Sequence, residues 1–134
     1  MDYVADTHAI VWSLFAPSRL GKAAQTILSD AAAGSARIYL PAVVTAEMIM
    51  VIEKKRLPGI TMNQLEIELN LMRRSASYEF LPLVPELVIS SRTLTAVPDI
   101  FDRLVVAETL QLGLSLITND SVIRASGLVN VIWD

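Results

Sequence analysis

The stretch Tyr3-Val4-Ala5-Asp6-Thr7-His8 places a short apolar strand directly before an aspartate. After it, apolar residues recur at helical spacing as far as Phe15. A strand that ends on a carboxylate and runs into a helix is typical of an open α/β sheet, which binds ligands outside the carboxyl ends of its strands. For a single aspartate before a single helix, the simpler interpretation is that Asp6 is only the N-cap of that helix, because aspartate is favoured there. Which reading holds depends on where the other acids lie.

The composition predicts one globular domain over residues 1–134, since 53% of the residues are hydrophobic and 19% are charged. No apolar run approaches the roughly 18 residues of a membrane helix. The start of the chain lacks the basic segment of a signal peptide. The chain has no cysteine, which excludes disulfides and thiolate metal sites and is consistent with a cytoplasmic protein.

The charge balance gives little support to simple nucleic-acid binding. The net charge is -3, with 11 basic and 14 acidic residues, whereas nucleic-acid binding usually leaves a basic footprint. Two local clusters, Lys54-Lys55-Arg56 and Arg73-Arg74, could contact a polyanion or could be solvated helix ends. A binding surface for nucleic acid, if present, is therefore local.

Strand-like and helix-like segments alternate along the whole chain. We expect strands at 3–5, 37–40, 79–83, 114–117 and 129–133, and helices at 9–15, 21–33, about 43–55, 61–76, 85–91, 100–112 and 120–125. This alternation predicts a three-layer α/β/α fold with a central, mostly parallel sheet of about five strands. No glycine-rich phosphate loop is present.

Acids recur where strands and helices meet. Asp6 follows the first strand, Glu47 is expected in the first turn of the helix after the second, and Asp120 follows the fourth. Asp99 and Asp102 begin the helix before the fourth strand, where they could serve as N-cap and N3 residues. In a parallel sheet several of these acids lie at one edge, where they repel unless a cation or a basic partner neutralises them. Oxygen ligands without cysteine suit Mg²⁺ or Mn²⁺.

At these acids the sequence resembles the PIN domains, which are small metal-dependent ribonucleases, and among them the VapC-type toxins of toxin–antitoxin pairs. Four segments in the family's order carry the resemblance: Asp6-Thr7-His8, Thr45-Ala46-Glu47, Asp99-Ile100-Phe101-Asp102-Arg103 and Ile117-Thr118-Asn119-Asp120. Thr45 stands where the family has serine, and Ile100 stands where proline is common. The resemblance spans the whole chain.

The resemblance implies a catalytic site that binds Mg²⁺, or Mn²⁺ in its place, through four carboxylates: Asp6, Glu47, Asp102 and Asp120. It also implies outer groups that orient these carboxylates, namely Thr7, Thr118 and Asn119, with Asp99 as a helix cap or an outer acid. His8 is expected to be structural. Peripheral bases would help to hold the substrate, namely Lys54, Lys55, Arg56 and Arg103.

The function implied by the resemblance is hydrolysis of RNA phosphodiester bonds by the toxin of a toxin–antitoxin pair, with RNA as substrate and a cognate antitoxin as partner. Two other functions stay open. One is a metal-dependent phosphatase with Asp6 as nucleophile, although no second aspartate follows two residues later. The other is a non-catalytic PIN-like module whose acids bind a cation or a partner's arginine.

The apolar pattern of two helices predicts protein partners. The helix that begins near Val43 is apolar nearly all round, so we expect both of its faces to be covered. The next helix adds Leu65, Leu69 and Met72 in line. Because a small domain has room to bury about one stripe per helix, we expect a homodimer, a groove for an amphipathic antitoxin segment, and no membrane.

Overall fold

A computed structural model describes residues 1–134 and shows an α/β fold around one parallel sheet. The five strands are β1 (Asp2–Ala5), β2 (Arg37–Leu40), β3 (Tyr78–Phe80), β4 (Ser115–Ile117) and β5 (Val131–Ile132). The seven α-helices are α1 (Thr7–Phe15), α2 (Lys22–Ala32), α3 (Ala42–Glu53), α4 (Met62–Arg74), α5 (Pro85–Ser91), α6 (Ile100–Leu112) and α7 (Ser121–Ser126). The predicted fold class is confirmed.

Strand β1 lies at the centre of the sheet, whose order is β3-β2-β1-β4-β5. Val4 pairs with Tyr39 of β2 on one side and with Leu116 of β4 on the other, and every pairing in the sheet is parallel. Val4 and Leu116 are fully buried, as expected for a parallel strand covered on both faces. The carboxyl ends of all five strands therefore meet at one edge.

Several helix ends form where the sequence predicts them. Thr61 and Gln64 make the predicted capping box: the Thr61 Oγ1 accepts from the Gln64 N–H at 3.2 Å, and the Gln64 Oε1 accepts from the Thr61 N–H at 2.8 Å. Gly113 follows α6 directly and caps its C-terminus, with a φ of 67° in the left-handed region that glycine enters without strain.

Other boundaries differ from the prediction. Helix α3 ends at Glu53 because Lys55 adopts a left-handed φ of 56°. Strand β3 ends at Phe80 instead of residue 83, since Pro82 has no N–H to continue the ladder. Strand β5 has two residues instead of five. Where the sequence indicates only a break, Pro17–Arg19 forms a 3₁₀ turn.

The apolar faces of α3 and α4 are only partly covered within the chain. Met48 on α3 is buried, but Met50 is 42% exposed. Leu65 on α4 is buried, whereas Ile67 and Leu71 are about half exposed, at 51% and 53%. The expectation that both faces of α3 are covered is thus not met by this chain alone. None of the helices combines the length and the apolar character that crossing a membrane requires.

Candidate functional site

Five acids line a pocket of about 390 Å³ at the carboxyl edge of the sheet. They come from the ends of β1 and β4 and from the N-terminal parts of α3 and α6: Asp6, Glu47, Asp99, Asp102 and Asp120. The remaining wall is formed by Thr7, His8, Trp12, Val105 and Asn119. The structure thus brings together the four carboxylates that the sequence selects as catalytic, along with Asp99.

Asp6 is both an N-cap and a pocket residue, so the two readings of the opening stretch are not exclusive. Its Oδ1 accepts from the Ala9 N–H at 3.4 Å, which caps α1, and its Oδ2 accepts from the Thr118 hydroxyl. Its own N–H donates to the Ile117 carbonyl at 3.1 Å. Burial raises the pKa of Asp6 from its ordinary value of 3.8, and the bonds from Thr118 and Ala9 oppose that rise.

Glu47 lies one turn further into its helix than the sequence suggests. Because α3 begins at Ala42, directly after Pro41, Glu47 falls outside the first turn. Its Oε1 accepts from the Thr7 hydroxyl at 2.9 Å, which links α3 to the start of α1. Burial raises the pKa of Glu47, and the charge of Asp99 adds to that rise.

Asp99 and Asp120 are also N-caps. The Asp99 Oδ1 accepts from the N–H groups of Phe101 and Asp102 at 2.8 and 3.2 Å. The Asp120 Oδ1 accepts from the Ile123 N–H at 2.9 Å. The Asp120 N–H donates to the Thr118 Oγ1 at 3.1 Å, so one threonine contacts both Asp6 and the backbone of Asp120. Three helix N-termini therefore hold acids at the pocket.

The charge of Asp102 is repelled by those of all four other pocket acids. Its pKa is raised from 3.8 to about 7, first by burial and then by the charges of Asp120, Asp99, Glu47 and Asp6. Its carboxylate accepts no hydrogen bond from the protein, and all three ion pairs of the structure lie outside the pocket. None of the five acids is paired with a lysine or arginine, and the one base beside them is His8 in the pocket wall, whose charge lowers the pKa of Asp6 and of Glu47.

The carboxylates of the pocket suit a hard cation, but their side chains are not arranged as metal ligands in this structure. Carboxylate oxygens without cysteine are the ligands that Mg²⁺ and Mn²⁺ prefer. As the side chains stand, no group of three or more His, Asp or Glu is placed to hold a metal ion. Binding would therefore require side-chain rotation, for which Asp102 is the residue without a competing hydrogen bond.

The bases predicted to help hold a substrate do not line the pocket. Lys54, Lys55 and Arg56 follow the far end of α3, about 10 Å along the helix axis from Glu47. The Arg103 Nε–H donates to the Val97 carbonyl at 2.6 Å. Lys54, Lys55 and Arg56 therefore lie at the end of α3 that is farther from the acids.

Two aromatic side chains, His8 and Trp12, lie in the pocket wall; the sequence marks His8 only as a structural residue and does not single out Trp12. Trp12 follows His8 by four residues, so both lie on one face of α1, and their ring centres are 5.4 Å apart. His8 is exposed, and its imidazole makes no hydrogen bond within the chain. The Arg19 guanidinium lies 4.5 Å from the centre of the Trp12 ring. The i, i+4 spacing of two aromatic rings was the only available signal in the sequence.

Comparisons with known proteins agree on the fold. A family model described as PIN domain matches residues 3–127. The structure is similar to VapBC2 from Rickettsia felis bound to a DNA fragment from their promoter, with a TM-score of 0.71 and 15% identity over 100% of both chains. It is also similar to FitAcB from Neisseria gonorrhoeae, with a TM-score of 0.61 and 15% identity over 97% of this chain and 96% of that one.

PAE2754 from Pyrobaculum aerophilum is similar as well, with a TM-score of 0.62 and 14% identity over 98% of this chain and 83% of that one. No curated protein sequence matches the chain. At these identities the structural likeness establishes the fold alone.

The electrostatics of Asp102 predict a pH-dependent gain in stability for metal-free Asp102→Asn. Between the ordinary pKa of 3.8 and the folded value of about 7, the folded chain binds more protons at this group than the unfolded chain. The contribution of Asp102 to the free energy of unfolding is therefore greatest below pH 3.8. It falls as the pH rises from 3.8 to about 7 and is constant at higher pH. Asparagine does not ionise, so the variant lacks this fall.

Melting temperatures in a chelating buffer at pH values from about 5 to about 8 measure the effect. The Asp102→Asn protein should melt increasingly above wild type toward the higher pH. Asp30→Asn, which changes an exposed aspartate on α2 outside the pocket, should follow wild type. A difference between Asp102→Asn and wild type that stays constant with pH would contradict the assignment.

Proposed function

Because the chain belongs to the PIN domain family, we propose that it is a metal-dependent nuclease that hydrolyses RNA phosphodiester bonds. The observation that carries the proposal is the pocket of five carboxylates, none of which forms an ion pair with a lysine or arginine. Such a cluster lowers stability through repulsion, and a divalent cation relieves that repulsion. Carboxylates that hold a cation beside a phosphate are the usual means of metal-assisted phosphodiester hydrolysis.

The residues that would hold the ion are Asp6, Glu47, Asp102 and Asp120. When bound, Mg²⁺ or Mn²⁺ supplies a Lewis acid that favours ionisation of water and stabilises the charge that develops on phosphate oxygens. The ionised form of Asp102 is needed for this role, and its pKa of about 7 means that a cation competes there with a proton.

The chain's own hydroxyl groups position two of these carboxylates. Thr118 donates to one oxygen of Asp6, and Thr7 donates to one oxygen of Glu47. Each bond restricts the rotation of a carboxylate and favours its charged form, as groups around a metal site commonly do. Asn119 lines the pocket beside Asp120.

The alternatives receive less support. The phosphatase reading calls for a second aspartate two residues after Asp6, and that position is His8. A non-catalytic module would need the acids only for a cation or a partner's arginine. Cleavage of RNA with and without Mg²⁺ separates that reading from a nuclease.

We also propose that the protein is the toxin of a toxin–antitoxin pair and forms a homodimer in the cytoplasm. The similar structures include VapBC2, described as bound to a DNA fragment from their promoter, and FitAcB. The resemblance of the sequence to VapC-type toxins points the same way. An antitoxin arginine that pairs with Asp6 or Asp102 would displace the metal and inhibit the enzyme.

The surface for the antitoxin would be the apolar groove beside α4. This groove has a volume of about 400 Å³, and its apolar lining includes Leu14, Leu28 and Leu71. Leu71 is 53% exposed. An amphipathic helix laid into the groove would cover such side chains with its apolar face.

The catalytic proposal predicts that Asp6→Asn and Asp102→Asn lose Mg²⁺-dependent RNA cleavage by more than about 100-fold, the scale seen when a group that stabilises transition-state charge is removed. Glu47→Gln should behave similarly, and Asp99→Asn should lose less. Because asparagine caps helices about as well as aspartate, the changes at Asp6 and Asp99 retain their caps. Gel assays of a labelled single-stranded RNA measure the rates.

Asp30→Asn, which removes one negative charge outside the pocket, is the matched control and should cleave like wild type. Melting temperatures show that each variant is folded. Full activity in a folded Asp6→Asn or Asp102→Asn protein would contradict the proposed site.

The partner proposal predicts that the protein alone has the mass of a dimer, and that the product of a neighbouring small gene binds it and stops cleavage. Leu71→Glu should weaken that binding while leaving RNA cleavage unchanged, because the groove does not share a wall with the acidic pocket. Ile89→Glu, at a 60% exposed position on α5, is the control for adding a charge. Light scattering and calorimetry measure mass and affinity.

A strict monomer that binds no such product would count against the partner proposal. Equal weakening by Leu71→Glu and Ile89→Glu would assign the antitoxin to a different surface.

A further inference from the structure

Arg19 is an exposed cation whose guanidinium contacts Trp12 in the wall of the acidic pocket. Its guanidinium lies 4.5 Å from the centre of the Trp12 ring, within the range of a cation–π interaction. Trp12 lines the pocket together with the five acids. Arg19 has no carboxylate partner, since the ion pairs of the chain involve other residues. Its hydrogen-bonding groups are therefore open to a ligand.

The backbone around Arg19 is held in place on both sides. The 3₁₀ turn Pro17–Arg19 follows α1 directly, and Gly21 lies against the end of β5. A Cβ on Gly21 would lie 2.2 Å from the Trp133 carbonyl oxygen, so only glycine permits this approach. The Trp12 and Trp133 rings are 5.7 Å apart in an edge-to-face arrangement. Trp133 thus supports both the turn and the ring on which Arg19 rests.

The other bases of the chain have no such link to the pocket. No side chain of another lysine or arginine makes a hydrogen bond, ion pair or cation–π contact with a residue of the pocket wall. A polyanion that approaches five carboxylates needs a cation at the rim, because phosphate contacts supply most of the affinity for single strands. A guanidinium stacked on an aromatic ring keeps its N–H donors directed outward in the plane of the guanidinium.

We propose that Arg19, stacked on Trp12, binds a backbone phosphate of the RNA strand and so positions that strand across the acidic pocket. This inference rests on the proposed nuclease function. It makes Arg19 a positioning residue, whose contact is the same in the ground state and in the transition state. Its loss should therefore act on binding more than on the chemical step.

The test compares Arg19→Gln, Arg19→Lys and Arg56→Gln, each with a melting temperature to show that it is folded. Arg56→Gln removes the same charge from an exposed base at the far end of α3, so it controls for net charge. RNA binding is measured by fluorescence anisotropy of a labelled single-stranded RNA over a range of salt concentrations. For this measurement every protein also carries Asp102→Asn, which keeps the RNA intact if the proposed site is correct.

Arg19→Gln should reduce the slope of log affinity against log salt by about 0.7, the value of one phosphate contact on a single strand, and weaken binding about fivefold near 0.1 M salt. In proteins with Asp102 intact, it should raise KM by a similar factor with little change in kcat. Arg19→Lys should restore the slope, because the charge is retained. Arg56→Gln should match the parent protein in each measurement.

The outcomes separate the inference from the proposed function. If the wild-type protein cleaves RNA but Arg19→Gln has the salt slope of Arg56→Gln, the inference is wrong and the nuclease function stands. If Arg19→Gln lowers only the melting temperature, Arg19 merely covers Trp12, and the inference is again wrong. A wild-type protein that neither binds nor cleaves RNA overturns the proposed function and the inference with it.

Discussion

The parallel pairing of β1 with both β2 and β4 is the constraint on which the candidate site depends. Parallel strands present their carboxyl ends at one edge, so whatever follows each strand is placed beside its neighbours. Here the residues that follow are the acid Asp6 after β1 and Thr118 to Asp120 after β4. The Asp6 carboxylate accepts from the Thr118 hydroxyl across this pair of strands. The sheet therefore fixes the part of the site formed by Asp6 and Asp120, and helices α3 and α6 bring Glu47, Asp99 and Asp102 to it.

The pocket acids accept hydrogen bonds from helix N-termini, which stabilises the fold. They also repel one another, which destabilises it. Asp6, Asp99 and Asp120 each accept from free N–H groups in the first turn of a helix, where a negative charge is favoured. Asp102 has no such partner and lies among the others, so burial and repulsion raise its pKa to about 7. The chain thus gives four of its pocket acids local hydrogen bonds, yet the pKa values of Asp6, Glu47 and Asp102 are all raised, so their charged forms are disfavoured unless a cation neutralises them. That penalty on the charged forms is the physical basis of the proposed metal dependence.

Much of this arrangement follows from the sequence, because periodicity, caps and the order of strands are local properties. The acids at the starts of α1, α6 and α7 were found because each directly follows a strand or begins a helix. The position of Glu47 was misjudged by a turn, since the start of α3 at Ala42 depends on where Pro41 leaves the sheet. Arg19 was missed because its contact with Trp12 depends on how the turn packs against Trp133, which no spacing in the sequence encodes. Long-range packing of this kind needs the folded coordinates.

The central claim is that these carboxylates bind a divalent cation, and the thermal stabilisation of metal-stripped protein by Mg²⁺ or Mn²⁺ tests it without reference to activity. A ligand that binds only the folded chain raises the melting temperature by mass action. The wild-type protein and Asp30→Asn should show equal rises that grow with metal concentration. Asp6→Asn and Asp102→Asn should show much smaller ones, although Asp102→Asn starts from an apo form that is no less stable. Equal metal-dependent rises in all four proteins would contradict the account.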